Sequence, residues 1–279
     1  MAKHIKICLD AGHYAKYNRS PAVPEYYESD MTWKLHKKLK AALEVYGIEV
    51  ITTREKKKED LALYERGKAS KGCDLFISLH SNAVIKGKDE ETDRVDVYAP
   101  LSGKGHDIAR KLANTVARVM GTKQPGYVKT RKGSSGQDYY GVIRGATAVG
   151  TPGLLIEHSF HTNTASALWL MDEDNLETLA NAEAVVIADY YGLLNDDNIG
   201  PVRLGDRTMV KGMTGPDVRE LKEALITLGY GAADDEFDAV TEAALNQFKS
   251  DNGLEPNGKA GNGVYRRLRE MLAENSEGE

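Results

Sequence analysis

In the first two-thirds of the chain, short strand-like runs take turns with longer helix-like ones, and few architectures accommodate that order. "HIKICLD" places Ile5, Ile7 and Leu9 on one face of an extended segment, and "SDMTWKLHKKLKAALEVYG" then repeats Met31, Leu35, Leu39 and Leu43 at helical spacing. Ser29 or Asp30 is expected to cap that helix and Gly47 to end it. "IEVITTR", "CDLFISLH", "DRVDVYAP", "YYGVIRG" and "PGLLIEHSF" supply further strand-like runs. Among them lie a short helix through "LALYERGKAS" and a longer one across "DIARKLANTVARVMG". A last long helix is expected over "NLETLANAEAVVIADYYGLL". This order implies an α/β fold with a largely parallel sheet of about six strands flanked by helices.

The pattern changes at "NDDNIGPVRLGDR", a polar stretch with Gly and Pro that reads as a linker. The expected division is a first domain over residues 1–195, a linker at 196–207 and a small all-α domain over 208–279. Two amphipathic helices, around residues 216–228 and 240–251, and a shorter third near 262–272 would build the small domain. From residue 202 onward there are 10 basic and 15 acidic residues, a difference equal to the whole formal net charge of -5. The larger domain is therefore near neutral. With no Lys/Arg-rich block, binding to nucleic acid through its phosphates is not expected.

No apolar run is long enough to cross a bilayer, so membrane insertion is not expected. The N-terminal "MAKHIKICLDAGH" enters an alternating strand pattern without a basic and then apolar leader, so no secretory signal is expected. Cys8 and Cys73 each fall in a strand-like run and are read as free thiols acting as small hydrophobes.

Three strand ends carry unusual side chains. "LDAGH" ends on Asp10 and His13, "ISLHSN" on His80 and Asn82, and "LLIEHSF" on Glu157 and His158. In parallel α/β sheets ligands sit beyond the carboxyl ends of the strands, so these three ends should lie together. Imidazole and carboxylate suit a catalytic zinc, which takes three protein ligands and leaves a position open. The third ligand is expected to be acidic or another His, in a loop or helix start near His13, where "PEYYESDMTWKL" offers Glu25 and Glu28; Glu28, at the helix entrance, is the better placed. Its alternative role is to favour the helix dipole. Glu157 closes an apolar run, where an unpaired carboxylate is costly to bury, and it is expected to move a proton. The structural alternative pairs it with Arg144 or Arg66. Asn82, Arg144, His158 and His161 are candidate substrate-binding residues, the last two with a supporting role as the alternative. His36, in a Lys-rich helix, is expected to face solvent.

Taken together, "LDAGH", the Glu28 that opens "ESDMTWKLHKKLKAAL", "GIEVITTR", "LYERGKAS", "DLFISLHSNA" and "TPGLLIEHSFHTN" resemble the zinc-dependent N-acetylmuramoyl-L-alanine amidases of the amidase-3 family, in that family's order across residues 4 to 193. The resemblance implies metal ligands at His13, Glu28 and His80, a catalytic glutamate at Glu157, Zn2+ as cofactor and bacterial peptidoglycan as partner. It implies hydrolysis of the amide joining N-acetylmuramic acid to L-alanine, with no covalent intermediate. Two departures stand out. "HYAKYNRSPAVPEYYE" lacks the glycines the family shows after its first His, and Glu157 is followed by His158, Ser159 and Phe160 where the family has Gly-Phe after one residue.

The tail resembles a three-helix peptidoglycan-binding module through "GPDVRELKEALITLGY" and "FDAVTEAALNQFKSDNGLEPNGKAG", with Glu236 and Asp238 where that family has glycines. A dimerisation or purely stabilising module is the rival reading. The two-part layout suggests a phage or prophage endolysin, made in the cytoplasm and released through holin-type lesions. A bacterial autolysin is the close alternative. A zinc peptidase cutting the stem peptide and a non-catalytic wall-binding protein are the more distant ones.

Overall fold

A computed structural model describes residues 4–194, 205, 209–213, 215–231 and 236–277. The linker expected at 196–207 lies, apart from Gly205, outside the described residues. The chain divides into two compact units, Met1–Asn198 and Ile199–Glu279.

In the first unit, β1 (Lys6–Ala11) is followed by α1 (Glu28–Val45), β2 (Glu49–Thr52), α2 (Leu63–Lys68), β3 (Leu75–Asn82) and β4 (Asp96–Tyr98). Then come α3 (His106–Met120), β5 (Tyr127–Lys129), α4 (Gly141–Ala148), β6 (Gly153–Phe160), α5 (Thr164–Trp169) and α6 (Glu173–Tyr190). The described strands form one six-stranded sheet in the order β2-β1-β3-β6-β4-β5. All neighbours pair parallel except β4 with β6. The largely parallel α/β sheet is as the sequence implies.

One of its members is not. "YYGVIRG" forms helix α4, and the sixth strand is the short edge strand β5. A run of Val and Ile this brief carries no decisive period. Here Gly141 and Gly145 let the helix approach α2 at backbone distance: a Cβ on Gly145 would run into Tyr64 O and stand 3.0 Å from Lys68 N. Helix α5 is likewise absent from the sequence reading; Asn163 caps it by accepting from Ser166 N.

The two faces of the sheet differ. Ile7, Leu9, Ile77, Leu79, Leu154 and Ile156 point into the main core with α1, α3 and α6, where Leu35, Leu39 and Leu43 are fully buried. Each of those leucines contributes roughly 2 kcal/mol. The other face carries Cys8, Phe76 and Leu155 under Val142, Ile143 and Ala146 of α4. Cys8 and Cys73 are buried free thiols.

Helix α1 starts one step earlier than its expected caps. Tyr27 is the N-cap and makes no side-chain cap bond, so Ser29 and Asp30 lie in the first turn. Gly47 follows the helix with φ 72°, as an ending glycine does. His36 is corrected from solvent-facing to buried, at 3% exposure. It lies seven residues from both Ser29 and Leu43, on the buried stripe, with its ring 4.5 Å from that of Trp33. Burial pulls its proton affinity down to about 4.

The described residues of the second unit include α7 (Pro216–Thr227), α8 (Ala239–Asp251) and α9 (Asn262–Glu277) around Val218, Leu221, Phe237, Leu245, Phe248 and Leu268. Asp238, at one of the two positions where glycine was expected, caps α8 by accepting from Thr241 N at 2.7 Å. No helix among the described residues is long and apolar enough to cross a membrane.

Candidate metal centre and cleft

The chain turns from β1 outward to β2 and later back to β3, so the loops after β1 and β3 diverge at this point and open a crevice between them. His13 lies two residues past β1. His80 sits inside β3, two residues before its end, and a register shift separates it from Asn82. Glu28 is the first residue of α1. One donor atom from each of His13, Glu28 and His80 can be chosen so that all lie within 4.8 Å of one another.

Glu28 is the hub of this cradle. Its Oε1 is 2.8 Å from His80 Nδ1 and accepts from Ser81 N at 3.0 Å. Its Oε2 is 3.2 Å from His13 Nε2 and accepts from Asn18 Nδ2 at 2.6 Å. Burial would raise this carboxyl, but the hydrogen bonds from His13 and His80 overcome it and hold Glu28 far below the usual carboxylate range. A buried, ionised carboxylate flanked by two imidazoles is a donor set that fits a divalent cation of the zinc type.

The loop that delivers His13 and Asn18 takes left-handed backbone without glycine, with φ of 58° at His13, 52° at Ala15 and 55° at Asn18. Such conformations cost roughly 1 kcal/mol or more per residue other than Gly. Bonds to neighbouring segments hold them: Ala15 N to Lys57 O, Ser29 Oγ to Ala15 O, and Glu28 N to Asn18 O. The ring of Tyr17 stacks on His13 at 5.0 Å.

Register carries the site sideways. His80 pairs with Glu157 across β3 and β6, and Glu157 with Asp96 across β6 and β4, which sets three ionisable side chains in one row on one face. Glu157 Oε2 is buried without a hydrogen-bond partner. Burial, then the charges of Glu28 and Asp96, raise its proton affinity well above the ordinary carboxylate range, with Lys129 opposing. Neither of the partners considered for it is available. Arg66 binds Asp10 and Asp60, and Arg144 donates to the carbonyls of Asp138 and Tyr139.

His13, Asn18, Glu28, His80, Asn82, Tyr140 and Glu157 are among the residues lining a cleft of about 320 Å³. Arg144, His158 and His161 are not among them. His158 is on the opposite face, fully buried, with Nδ1 2.9 Å from His80 O and Nε2 3.0 Å from Glu183 Oε1. His161 is buried against Tyr26 and holds Ser81. Side chains alternate along β6, so with Glu157 on the cleft side His158 stands behind it, while His161, one residue past β6, reaches the site only through Ser81. Asn18, Tyr140, Asp96 and Lys129 were not anticipated from sequence. Asp96 carried one signal, a charge at an inward position of "VDVY".

Residues 7–189 match the profile of the family described as N-acetylmuramoyl-L-alanine amidase, and residues 214–268 that of a peptidoglycan binding domain. Among solved structures, the chain resembles Cwp6 from Clostridium difficile at 25% identity and a TM-score of 0.57, over 68% of this chain and 30% of that one. It resembles the catalytic domain of CwlV, an N-acetylmuramoyl-L-alanine amidase from Bacillus (Paenibacillus) polymyxa var. colistinus, at 22% identity and a TM-score of 0.58, over 68% and 99% of the two chains. The amidase AmiC2 of Nostoc punctiforme is similar at 22% identity and a TM-score of 0.58, over 69% and 99%. No curated protein sequence matches the chain.

Proposed function

The chain belongs to the N-acetylmuramoyl-L-alanine amidase family, and on that footing we propose that it hydrolyses the amide between the lactyl group of N-acetylmuramic acid and the first L-alanine of the peptidoglycan stem, with zinc held by His13, Glu28 and His80. The observation that carries this reading is the convergence of the three donors beside the unpartnered Glu157 oxygen in one cleft. Zinc, when bound, supplies a Lewis acid that polarises a carbonyl and acidifies water.

The protein's own groups do the rest. Glu28 stays ionised and gives the cradle its negative charge. Glu157, whose surroundings raise its proton affinity and so make its carboxylate a stronger base, accepts a proton from the attacking water and returns it to the departing nitrogen of L-alanine. Its free Oε2 leaves it available for both transfers. Tyr140, Leu155 and Val142 line the cleft and limit water around the carboxylate. The second unit serves to keep the enzyme on the wall polymer.

Wall turbidity and zinc content measured together test this. Glu157→Ala should keep its zinc and lose lysis, whereas His80→Ala should lose both. Product analysis should find a new L-alanine amine with the glycan intact. Full lysis by Glu157→Ala would overturn the assigned mechanism, and cleavage within the stem peptide would replace the amidase reading with a peptidase one.

A further inference from the structure

We propose that the buried Arg66–Asp10 pair, acting through Ser78, positions both histidines of the cradle and selects Nδ1 of His80 as its metal-facing nitrogen. This rests on the metal reading above and concerns residues that do not line the cleft.

Proton counting carries the argument. Asp10 is wholly buried in β1. Its Oδ1 accepts from Thr53 Oγ1 at 2.6 Å and from Arg66 Nη1 at 3.3 Å, and its Oδ2 accepts from Ser78 Oγ at 2.6 Å. A carboxylate offers no proton in return, so the single O–H of Ser78 is committed to Asp10. Ser78 Oγ also lies 3.1 Å from His80 Nε2. With its own proton spent, the hydroxyl can only accept there, which puts the hydrogen on Nε2. Nδ1, 2.8 Å from Glu28 Oε1, is then the nitrogen whose hydrogen, bonded to Glu28 in the metal-free chain, a cation displaces to take the lone pair.

Arg66 extends the same device to His13. Its Nη1 and Nη2 reach Ala11 O and His13 O, each at 3.3 Å, and so clasp the backbone on both sides of Gly12. That grip holds His13 in its left-handed conformation. Gly12 is needed between them: a Cβ there would stand 2.6 Å from His80 Nε2 and displace the ring. The row beneath the site, Asp10 beside Ser78 in paired register, thus fixes one histidine by its ring and the other by its carbonyl.

The test is zinc affinity by chelator competition on the full chain, with 15N NMR of the imidazole nitrogens in the zinc-loaded protein. Ser78→Ala should weaken zinc binding by roughly 10- to 100-fold, the range for a lost partner of a metal-bound histidine, while circular dichroism stays native. Asp10→Asn should weaken it as well, for a distinct reason. Its amide nitrogen must face Ser78, since Thr53 and Arg66 are donors. Ser78 would then be free to donate to Nε2 and drive the proton onto Nδ1. In the wild type, NMR should show zinc on Nδ1 of His80 and a hydrogen on Nε2. Zinc on Nε2, or undiminished affinity in Ser78→Ala, would overturn the positioning proposal alone. A wild type that binds no zinc would overturn the metal reading and this proposal with it.

Discussion

At the scale of single residues, the cleft holds two carboxyl groups whose surroundings push them in opposite directions. Burial acts on both. In Glu28 the hydrogen bonds from His13 and His80 outweigh it, whereas in Glu157 the nearby charges of Glu28 and Asp96 reinforce it. The result is one anion for a cation and one carboxyl ready to carry a proton. A stability consequence follows for the metal-free chain. Folded Glu157 keeps a proton that the unfolded chain releases above pH 4.5, the ordinary value, so its contribution is complete below that pH and is lost as pH rises through the raised value. Glu157→Gln, neutral throughout, avoids the loss. Urea denaturation at pH 8 should find the metal-free variant more stable than wild type by about 1–3 kcal/mol, with the gap closing toward pH 4.5. A variant less stable than wild type at pH 8 would show that the carboxylate is better accommodated than its surroundings suggest. His13, Glu28, His80 and Glu157 could be picked out of the sequence because each stands where a regular element starts or ends, or closes an apolar run. Asn18 and Lys129 could not, since their partners Glu28 and Asp96 lie 10 and 33 residues away and meet them only through loop geometry and sheet register.

At the scale of elements, α4 shows where sequence periodicity reaches its limit. Its Val142 and Ile143 suit a strand by composition, and what makes the segment a helix is tertiary: Gly67 and Gly145 allow α2 and α4 to touch backbone to backbone. That close packing positions Tyr140, Gly141 and Val142 along the cleft. The longer elements α1, α3 and α6 have enough turns for their period to be read directly, and β1, β3 and β6 enough apolar residues. Gly145→Ala puts a methyl group against Tyr64 O, which cannot rotate away as a side chain would. The helices must part, and the expected cost is about 1–3 kcal/mol, as for other overpacked interiors. Amidase activity should fall with it, because the cleft wall moves with α4. Unchanged melting and unchanged activity in this variant would mean that the α2–α4 contact is looser than the glycines imply.

At the scale of the whole molecule, two units have separate cores, and the proposed function gives chemistry to the first and retention to the second. The substrate is a polymer, and an enzyme that stays on it meets the next scissile bond at a high effective concentration without any new contact at the active site. The net charge bears on this proposal: the second unit is acidic, so a hold on an anionic wall would rest on a shaped surface and not on simple charge attraction. Two measurements on the chain cut back to residues 1–198 separate the contributions. Hydrolysis of a soluble muramoyl-peptide, which offers nothing for the second unit to hold, should stay within about twofold of the full chain, since neither the cradle nor Glu157 belongs to the removed part. Lysis of intact walls at low enzyme concentration should fall by roughly 10- to 100-fold, and raising the enzyme concentration should recover most of it. Raising salt should weaken wall retention of the full chain only slightly, because screening acts on charge and not on shape. Equal loss on the soluble and the polymeric substrate would instead place the second unit in the chemistry itself.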